Sequence, residues 1–173
     1  MSQNVKRRIL VVDDEIKILD EVRKILCPDV NGHTDLKELE KHLFGSADSL
    51  VIDPVDYHVV CCRQGDEAIR QARMACQQGE PFMAVFLDVR MPPGIDGVCV
   101  AEEIRKFDRD IEFVVMTGYT DYDISQINRR IKPADKLLYL QKPIHTPEVR
   151  QLALALSTKW LMNRQIQVQN QAL

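Results

Sequence analysis

An α/β fold built on a parallel sheet covered on both faces is what this sequence predicts, and three observations predict it. Short apolar runs stop abruptly on carboxylates: Ile9-Leu10-Val11-Val12 runs into Asp13-Asp14, and Ala84-Val85-Phe86-Leu87 runs into Asp88. A brief, continuous apolar run closed by a turn signal has the pattern of a strand buried on both faces. Segments of helical period alternate with these runs, giving five strand–helix pairs along the 173 residues. Such alternation produces a doubly wound parallel sheet with right-handed crossovers. Ligands of open α/β sheets bind beyond the carboxyl ends of the strands, which is where these carboxylates fall.

Taken in order, the first strand is 9–12. Ile16, Leu19, Val22, Ile25 and Leu26 then have helical spacing and predict a helix over about 15–27. Pro28, Asn31 and Gly32 break it. Thr34 caps a second amphipathic piece over 34–44, with Leu36, Leu39 and Leu43 on one side and Gly45 at its end. A polar connection over 46–56 leads to a strand at 57–62. A helix over 66–78 carries Ala68, Ile69, Ala72 and Ala75 and is closed by Gly79. The Asp88 strand follows, and Gly97 opens a helix with Val98, Ala101, Ile104 and Phe107 inward. Residues 111–116 form the fourth strand, ending at Thr117-Gly118. A polar helix over 121–131 and a fifth strand over 137–140 follow. The last helix begins at about Val149 and continues to the C-terminus.

The length suits one domain with a full core. A formal charge of -3 and basic clusters no longer than Lys6-Arg7-Arg8 and Arg129-Arg130 argue against direct nucleic-acid binding. No run of about eighteen apolar residues exists, so membrane insertion is not expected. The polar stretch Met1 to Arg8 lacks the apolar core of a secretion signal. The cysteines Cys27, Cys61, Cys62, Cys76 and Cys99 are odd in number and form no C-x-x-C pair. A cytoplasmic location with buried free thiols is the expectation. His33, His42, His58 and His145 show no metal-ligand spacing.

The strand ends supply Asp13 and Asp14, Asp88, Thr117 and Lys142. Crowded carboxylates repel, which raises their pKa values unless a divalent cation intervenes. Hard oxygen ligands in an incomplete cage suit Mg²⁺, which keeps waters and shares phosphates. A lysine and a hydroxyl nearby provide the charge neutralisation and hydrogen bonding that a phosphoryl group needs. A carboxylate can itself accept that group as an aspartyl phosphate. Singly, each feature has a plainer reading: Asp13-Asp14 as a helix cap, Thr117-Gly118 as a turn, Lys142 as surface, Tyr139 as a core aromatic. Their coincidence at the strand ends selects a Mg²⁺-dependent phosphoacceptor aspartate.

The landmarks Val11-Val12-Asp13-Asp14-Glu15, Leu87-Asp88-Val89-Arg90-Met91-Pro92, Met116-Thr117-Gly118 and Tyr139-Leu140-Gln141-Lys142-Pro143 occur in this order. Over about residues 8–155 the chain resembles a bacterial two-component response-regulator receiver domain, CheY-like and of the kind found at the N-terminus of larger signalling proteins. The resemblance implies a flavodoxin-like (βα)5 sheet of strand order 2-1-3-4-5. It implies phosphorylation of Asp88, with Asp13, Asp14, Asp88 and the backbone carbonyl of Arg90 holding Mg²⁺ or Mn²⁺. Thr117 resembles the switch hydroxyl, Lys142 the phosphoryl-pairing lysine, and Tyr139 the aromatic that turns inward with Thr117. Gly118 leaves the phosphoryl approach open, and the bond before Pro143 is expected to be cis. Arg90 and Tyr119 resemble positions that tune dephosphorylation. The implied partners are a histidine kinase or histidine phosphotransfer protein, an output domain, and a second copy in a homodimer.

Two departures from the family pattern stand out. The loop Met91-Pro92-Pro93-Gly94-Ile95-Asp96-Gly97 is one residue longer than usual. About twenty extra residues lie in an insertion over 28–56, either a decoration or a partner-docking or dimer element. The expected organisation is a receiver over 1–155, then an extended helix or linker over 156–173 toward an output module. In that helix Leu154, Leu161 and Val168 fall seven apart, beside Trp160 and a Gln/Asn-rich tail.

The expected function is a phosphoacceptor switch altering the face made by the fourth helix, fifth strand and fifth helix of the (βα)5 unit, not a turnover enzyme. The alternatives are a degenerate receiver acting as an interaction module, and an aspartyl-phosphate phosphatase. The complete acidic set argues against the first. The second needs an acid two residues after the nucleophile, where Arg90 stands. Nucleotide binding lacks a Gly-rich loop after the first strand.

Overall fold

The computed structural model describes residues 6–28, 55–118 and 123–171. Arg7–Val12 forms β1 and Ile16–Leu26 forms α1; Glu15 and Cys27, expected inside that helix, flank it as caps. Tyr57–Cys62 is β2 and Gly65–Gln77 is α2. Gly79 follows α2 at φ 75°, the left-handed conformation that favours glycine after a helix. Ala84–Asp88 is β3, and Gly97–Arg105 is α3. Asp96 caps α3, its Oδ1 accepting from Cys99 N at 2.8 Å.

The fourth strand, β4, is Glu112–Thr117, one residue later than its sequence predicts. Ile111 is fully buried, but its N–H goes to Asp108 Oδ1 at 3.0 Å, outside the ladder. Ile124–Arg130 forms α4, capped by Asp123. A 3₁₀ turn at Ala134–Lys136, not anticipated from sequence, precedes β5, Leu137–Gln141. The last helix, α5, spans Thr146–Gln171 and starts three residues before Val149 because Pro147 suits its first turn. The expected 34–44 helix, most of the 28–56 insertion and Tyr119 lie outside the described residues.

The five strands are parallel, in the order β2-β1-β3-β4-β5. This is the flavodoxin-like order, with β1 and β3 central beside one another. Successive side chains of a strand point to opposite faces, and the core divides accordingly. Leu10, Val12, Val85 and Leu87 pack beneath α2, α3 and α4. Ile9, Val11, Phe86 and Met116 pack beneath α1 and α5. Fully burying one such side chain contributes about 1.5–3 kcal/mol, so both faces hold the sheet rigid under its carboxyl edge.

The cysteines are free, but only Cys62 is buried; Cys27, Cys61, Cys76 and Cys99 are half-buried, a correction to the expectation that all are interior. Cys61 and Cys62 alternate across β2, so one faces each layer. Among the described residues, no helix is long and apolar enough to cross a membrane.

Candidate functional site

Four strand ends converge at the carboxyl edge of the sheet because β1, β3, β4 and β5 are neighbours in parallel register. Val12 pairs with Leu87, and Asp88, the last residue of β3, pairs with Met116. Asp13 follows β1, and its N–H still reaches Cys62 O at 3.1 Å, so the ladder fixes its backbone. Thr117 ends β4 one residue beyond the partner of Asp88. Lys142 follows β5, with its N–H donating to Thr117 O at 2.9 Å.

The side chains meet there. Carboxylate oxygens of Asp13, Asp14 and Asp88 all lie within 4.8 Å of one another. Asp13 is fully buried, Asp88 is 6% exposed, and Asp14 is half-buried. Lys142 Nζ stands 2.7 Å from Asp13 Oδ2 and 3.1 Å from Asp88 Oδ1. Glu15 Oε1 lies farther from the same ammonium, at 3.8 Å. The Glu15 backbone N–H holds the other oxygen of Asp13, Oδ1, at 2.9 Å.

Burial pushes the Asp88 carboxyl up to about 6, helped by the neighbouring Asp13 charge and opposed by Lys142. Burial likewise raises Asp13, against the lowering effect of Lys142 and of the Glu15 N–H. Burial disfavours the charged form of Lys142, but its bonds to Asp13 and Asp88 outweigh that, and its pKa is raised. One ammonium thus faces three carboxylates, leaving net negative charge in a poorly solvated place.

The donor set fits a divalent cation. Opposite oxygen ligands of one such ion lie roughly 4–5 Å apart, and the three carboxylates already stand within 4.8 Å. Asp13, Asp14 and Asp88 are the residues that would hold it.

The backbone of β3 is tightly framed. Gly97 N donates to Val89 O at 2.9 Å, and a Cβ on Gly97 would lie 2.1 Å from the Asp88 carbonyl oxygen. Only glycine permits that approach. Arg90 is exposed in the β3–α3 loop. Gly118 is the next residue after β4, and the Lys142-Pro143 bond is cis, as are Pro92-Pro93 and Lys132-Pro133. Tyr139 is half-buried against the α2–α3–α4 layer, and its hydroxyl donates to Asn128 Oδ1 on α4 at 2.9 Å.

Sequence reasoning missed Asn128, whose partnership with Tyr139 has no local signature. It also missed Glu112, fully buried at the start of β4 and paired with Lys159 of α5 at 3.1 Å. A carboxylate inside the apolar run from Ile111 to Met116 was the available signal for that pair.

A family model described as the response regulator receiver domain matches residues 40–154. The chain belongs to this family. The matched span begins after β1, yet parallel pairing of β1 with β3 brings this receiver's Asp13 and Asp14 beside Asp88. Solved structures share the fold. A CheY-like receiver domain protein from Methanospirillum hungatei JF-1 is 19% identical, with 91% of this chain and 98% of that one covered at a TM-score of 0.63. The signal receiver domain of an HD domain-containing protein from Pseudomonas fluorescens Pf-5 is 16% identical, covering 95% and 96% at 0.64. NtrX from Brucella abortus, crystallised with ATP, is 20% identical at 0.62; the match covers 92% of this receiver but 29% of NtrX. Receivers of this family serve two-component signalling as switches and bind Mg²⁺ through acidic residues.

Proposed function

We propose that this receiver is a phosphoacceptor switch in which Asp88 takes a phosphoryl group from a histidine kinase or histidine phosphotransfer protein. An Asp88 carboxylate oxygen attacks phosphorus as the bond from phosphorus to the donor's imidazole nitrogen breaks, leaving an aspartyl phosphate and a neutral histidine. The observation that carries this reading is the gathering of Asp13, Asp14 and Asp88 within 4.8 Å, with the Lys142 ammonium against two of them.

In this reading Asp13, Asp14, Asp88 and the Arg90 carbonyl hold Mg²⁺ or Mn²⁺, which when bound offsets the charge of the phosphoryl oxygens. Lys142 neutralises a phosphoryl oxygen, and the Thr117 hydroxyl donates to another. Gly118 leaves room for the group. Tyr139 then exchanges its bond to Asn128 for an inward position, which shifts the population of the α4–β5–α5 face. The chain divides into a receiver over 1–155 and an exit segment over 156–173 leading to an output domain, and it works in the cytoplasm without turning over a substrate of its own.

The test is intact mass after incubation with Mg²⁺ and acetyl phosphate, for this chain and for Asp88→Asn. A single phosphoryl adduct that disappears in the variant is expected. No adduct despite independently demonstrated Mg²⁺ binding, or one surviving in Asp88→Asn, removes the reading.

A further inference from the structure

The loop from Val89 to Asp96 joins β3 to α3 and carries the Arg90 carbonyl, yet its own backbone can do little to hold it. Pro92 and Pro93 have no N–H to donate. The Gly94 N–H already donates to Met91 O at 3.0 Å, which closes residues 91–94 into one turn. Residues 92–95 are all exposed, between the buried Met91 and Gly97. Such a segment is fixed by what stands against it.

What stands against it is the corner between β2 and α2. Gln64 occupies the cap position before α2, but its side chain makes no capping hydrogen bond. That half-buried side chain runs to the loop instead, where its Oε1 lies 2.2 Å from the place a Cβ on Gly94 would take. The next residue, Gly65, is buried against Ile95 of the loop and Val100 of α3. A Cβ there would lie 2.8 Å from Ile95 Cγ1 and 2.3 Å from Val100 Cγ2. Just before Gln64, Cys62 O accepts the Asp13 N–H at 3.1 Å. One corner therefore abuts both walls of the carboxylate site, the β1 end through Cys62 and the β3–α3 loop through Gln64.

The lever from Gln64 to Arg90 is short. Gly94 is bonded to Met91, and the Met91 nitrogen shares a peptide plane with the Arg90 carbonyl. Mg²⁺ demands near-ideal placement of its oxygen ligands, so a small displacement of that carbonyl weakens binding. We propose that Gln64 is a positioning residue for the divalent cation: seated against Gly94, it sets the place of the Arg90 carbonyl relative to Asp13, Asp14 and Asp88. The inference rests on the phosphoacceptor reading for the role of Arg90, and it adds to that reading a residue away from the strand ends that supply the ligands.

The test compares the full parent chain with Gln64→Ala, Gly94→Ala, the double variant and a control, Gln78→Ala, at the exposed far end of α2. Gly94 has no positive φ, so an alanine there meets the Gln64 side chain and not backbone strain. Circular dichroism verifies that each variant is folded. Mn²⁺ affinity is read from the loss of the free-ion electron paramagnetic resonance signal, and exchange of the Gly94 amide is followed by NMR in EDTA. Gln64→Ala is expected to raise the Mn²⁺ dissociation constant at least about threefold and to speed Gly94 exchange. Gln78→Ala is expected to change neither. Gly94→Ala displaces the Gln64 side chain, so it should weaken binding in the parent and have no further effect once Gln64 is alanine. Parental affinity in Gln64→Ala, weaker affinity without faster Gly94 exchange, an equal loss in Gln78→Ala, or additive effects of the two substitutions overturn this inference alone. A parent that binds no Mn²⁺ overturns the reading of Asp13, Asp14 and Asp88 as a cation site, and the inference falls with it.

Discussion

Glu112 and Thr117 are the first and last residues of a single strand, β4, so the strand that ends at the carboxylate site begins at the anchor of α5. Glu112 is fully buried and Lys159 is about one-third exposed, with the ammonium also bonded to the Asp135 carbonyl. Burial raises the Glu112 carboxyl above its ordinary value of 4.5 even against Lys159. Lys159 thus does not fully offset the burial of Glu112, and the pair is expected to orient α5 rather than to stabilise the fold.

Glu112→Gln checks this. A carboxyl raised in the folded state contributes stability below its unfolded pKa and loses it as pH rises through the folded value. The variant lacks that loss, so its melting temperature should equal or exceed that of the parent at pH 7 and converge with it near pH 4. The emission of Trp160, the sole tryptophan, should shift as the adjacent anchor loosens. A parent more stable than the variant at pH 7 would show that the pair is net stabilising.

Asp88 gives a sharper pH dependence. Its carboxyl rises from 3.8 to about 6, chiefly through burial. Stability from this group is complete below about pH 4 and is lost as pH rises through about 6. At pH 7.5 in EDTA that loss is on the order of 3 kcal/mol. Asp88→Asn should therefore melt several degrees higher than the parent under those conditions. Adding Mg²⁺ should stabilise the parent more than the variant, because the variant lacks one of three carboxylates. Calorimetry with and without EDTA decides it; equal melting temperatures throughout would mean that the site relaxes without cost.

Gly97→Ala tests the framing of the acceptor. The new Cβ would stand 2.1 Å from Asp88 O and 3.1 Å from Val89 Cα, both backbone atoms that no rotamer change can move. A destabilisation of about 3 kcal/mol or more is expected, with loss of the phosphoryl adduct at temperatures where the variant remains folded. A denaturant midpoint within experimental error of the parent's would refute the close approach.

What was legible in the sequence followed from local patterning. Strands 57–62 and 84–88 have the bounds their apolar runs predict, and the strand-end residues Asp13, Asp14, Asp88 and Lys142 meet because parallel register leaves them nowhere else to go. Long-range pairings were not legible. Nothing near Asn128 announces Tyr139, since a hydrogen bond across eleven residues depends on how α4 settles on the sheet. The shift of the fourth strand to Glu112 depends on Asp108 capturing the Ile111 N–H, a turn bond that hydropathy does not register. The length of α5 was visible, but the pairing of Lys159 with the buried Glu112 was not.

The Tyr139–Asn128 bond yields the last prediction. Both residues are half-buried, so the bond should contribute about 0.5–1 kcal/mol, and it is made only while the ring holds its present position. A double-mutant cycle with Tyr139→Phe and Asn128→Ala should return a coupling of that size in the unmodified chain. If Tyr139 leaves Asn128 when the site is occupied, the same cycle run with beryllofluoride and Mg²⁺, as a stand-in for the phosphoryl group, should return a coupling near zero. Each single variant should still accept a phosphoryl group from acetyl phosphate, because neither side chain touches the carboxylates. A coupling unchanged by beryllofluoride would mean that Tyr139 stays on α4 and that the switch signal leaves the site by another route.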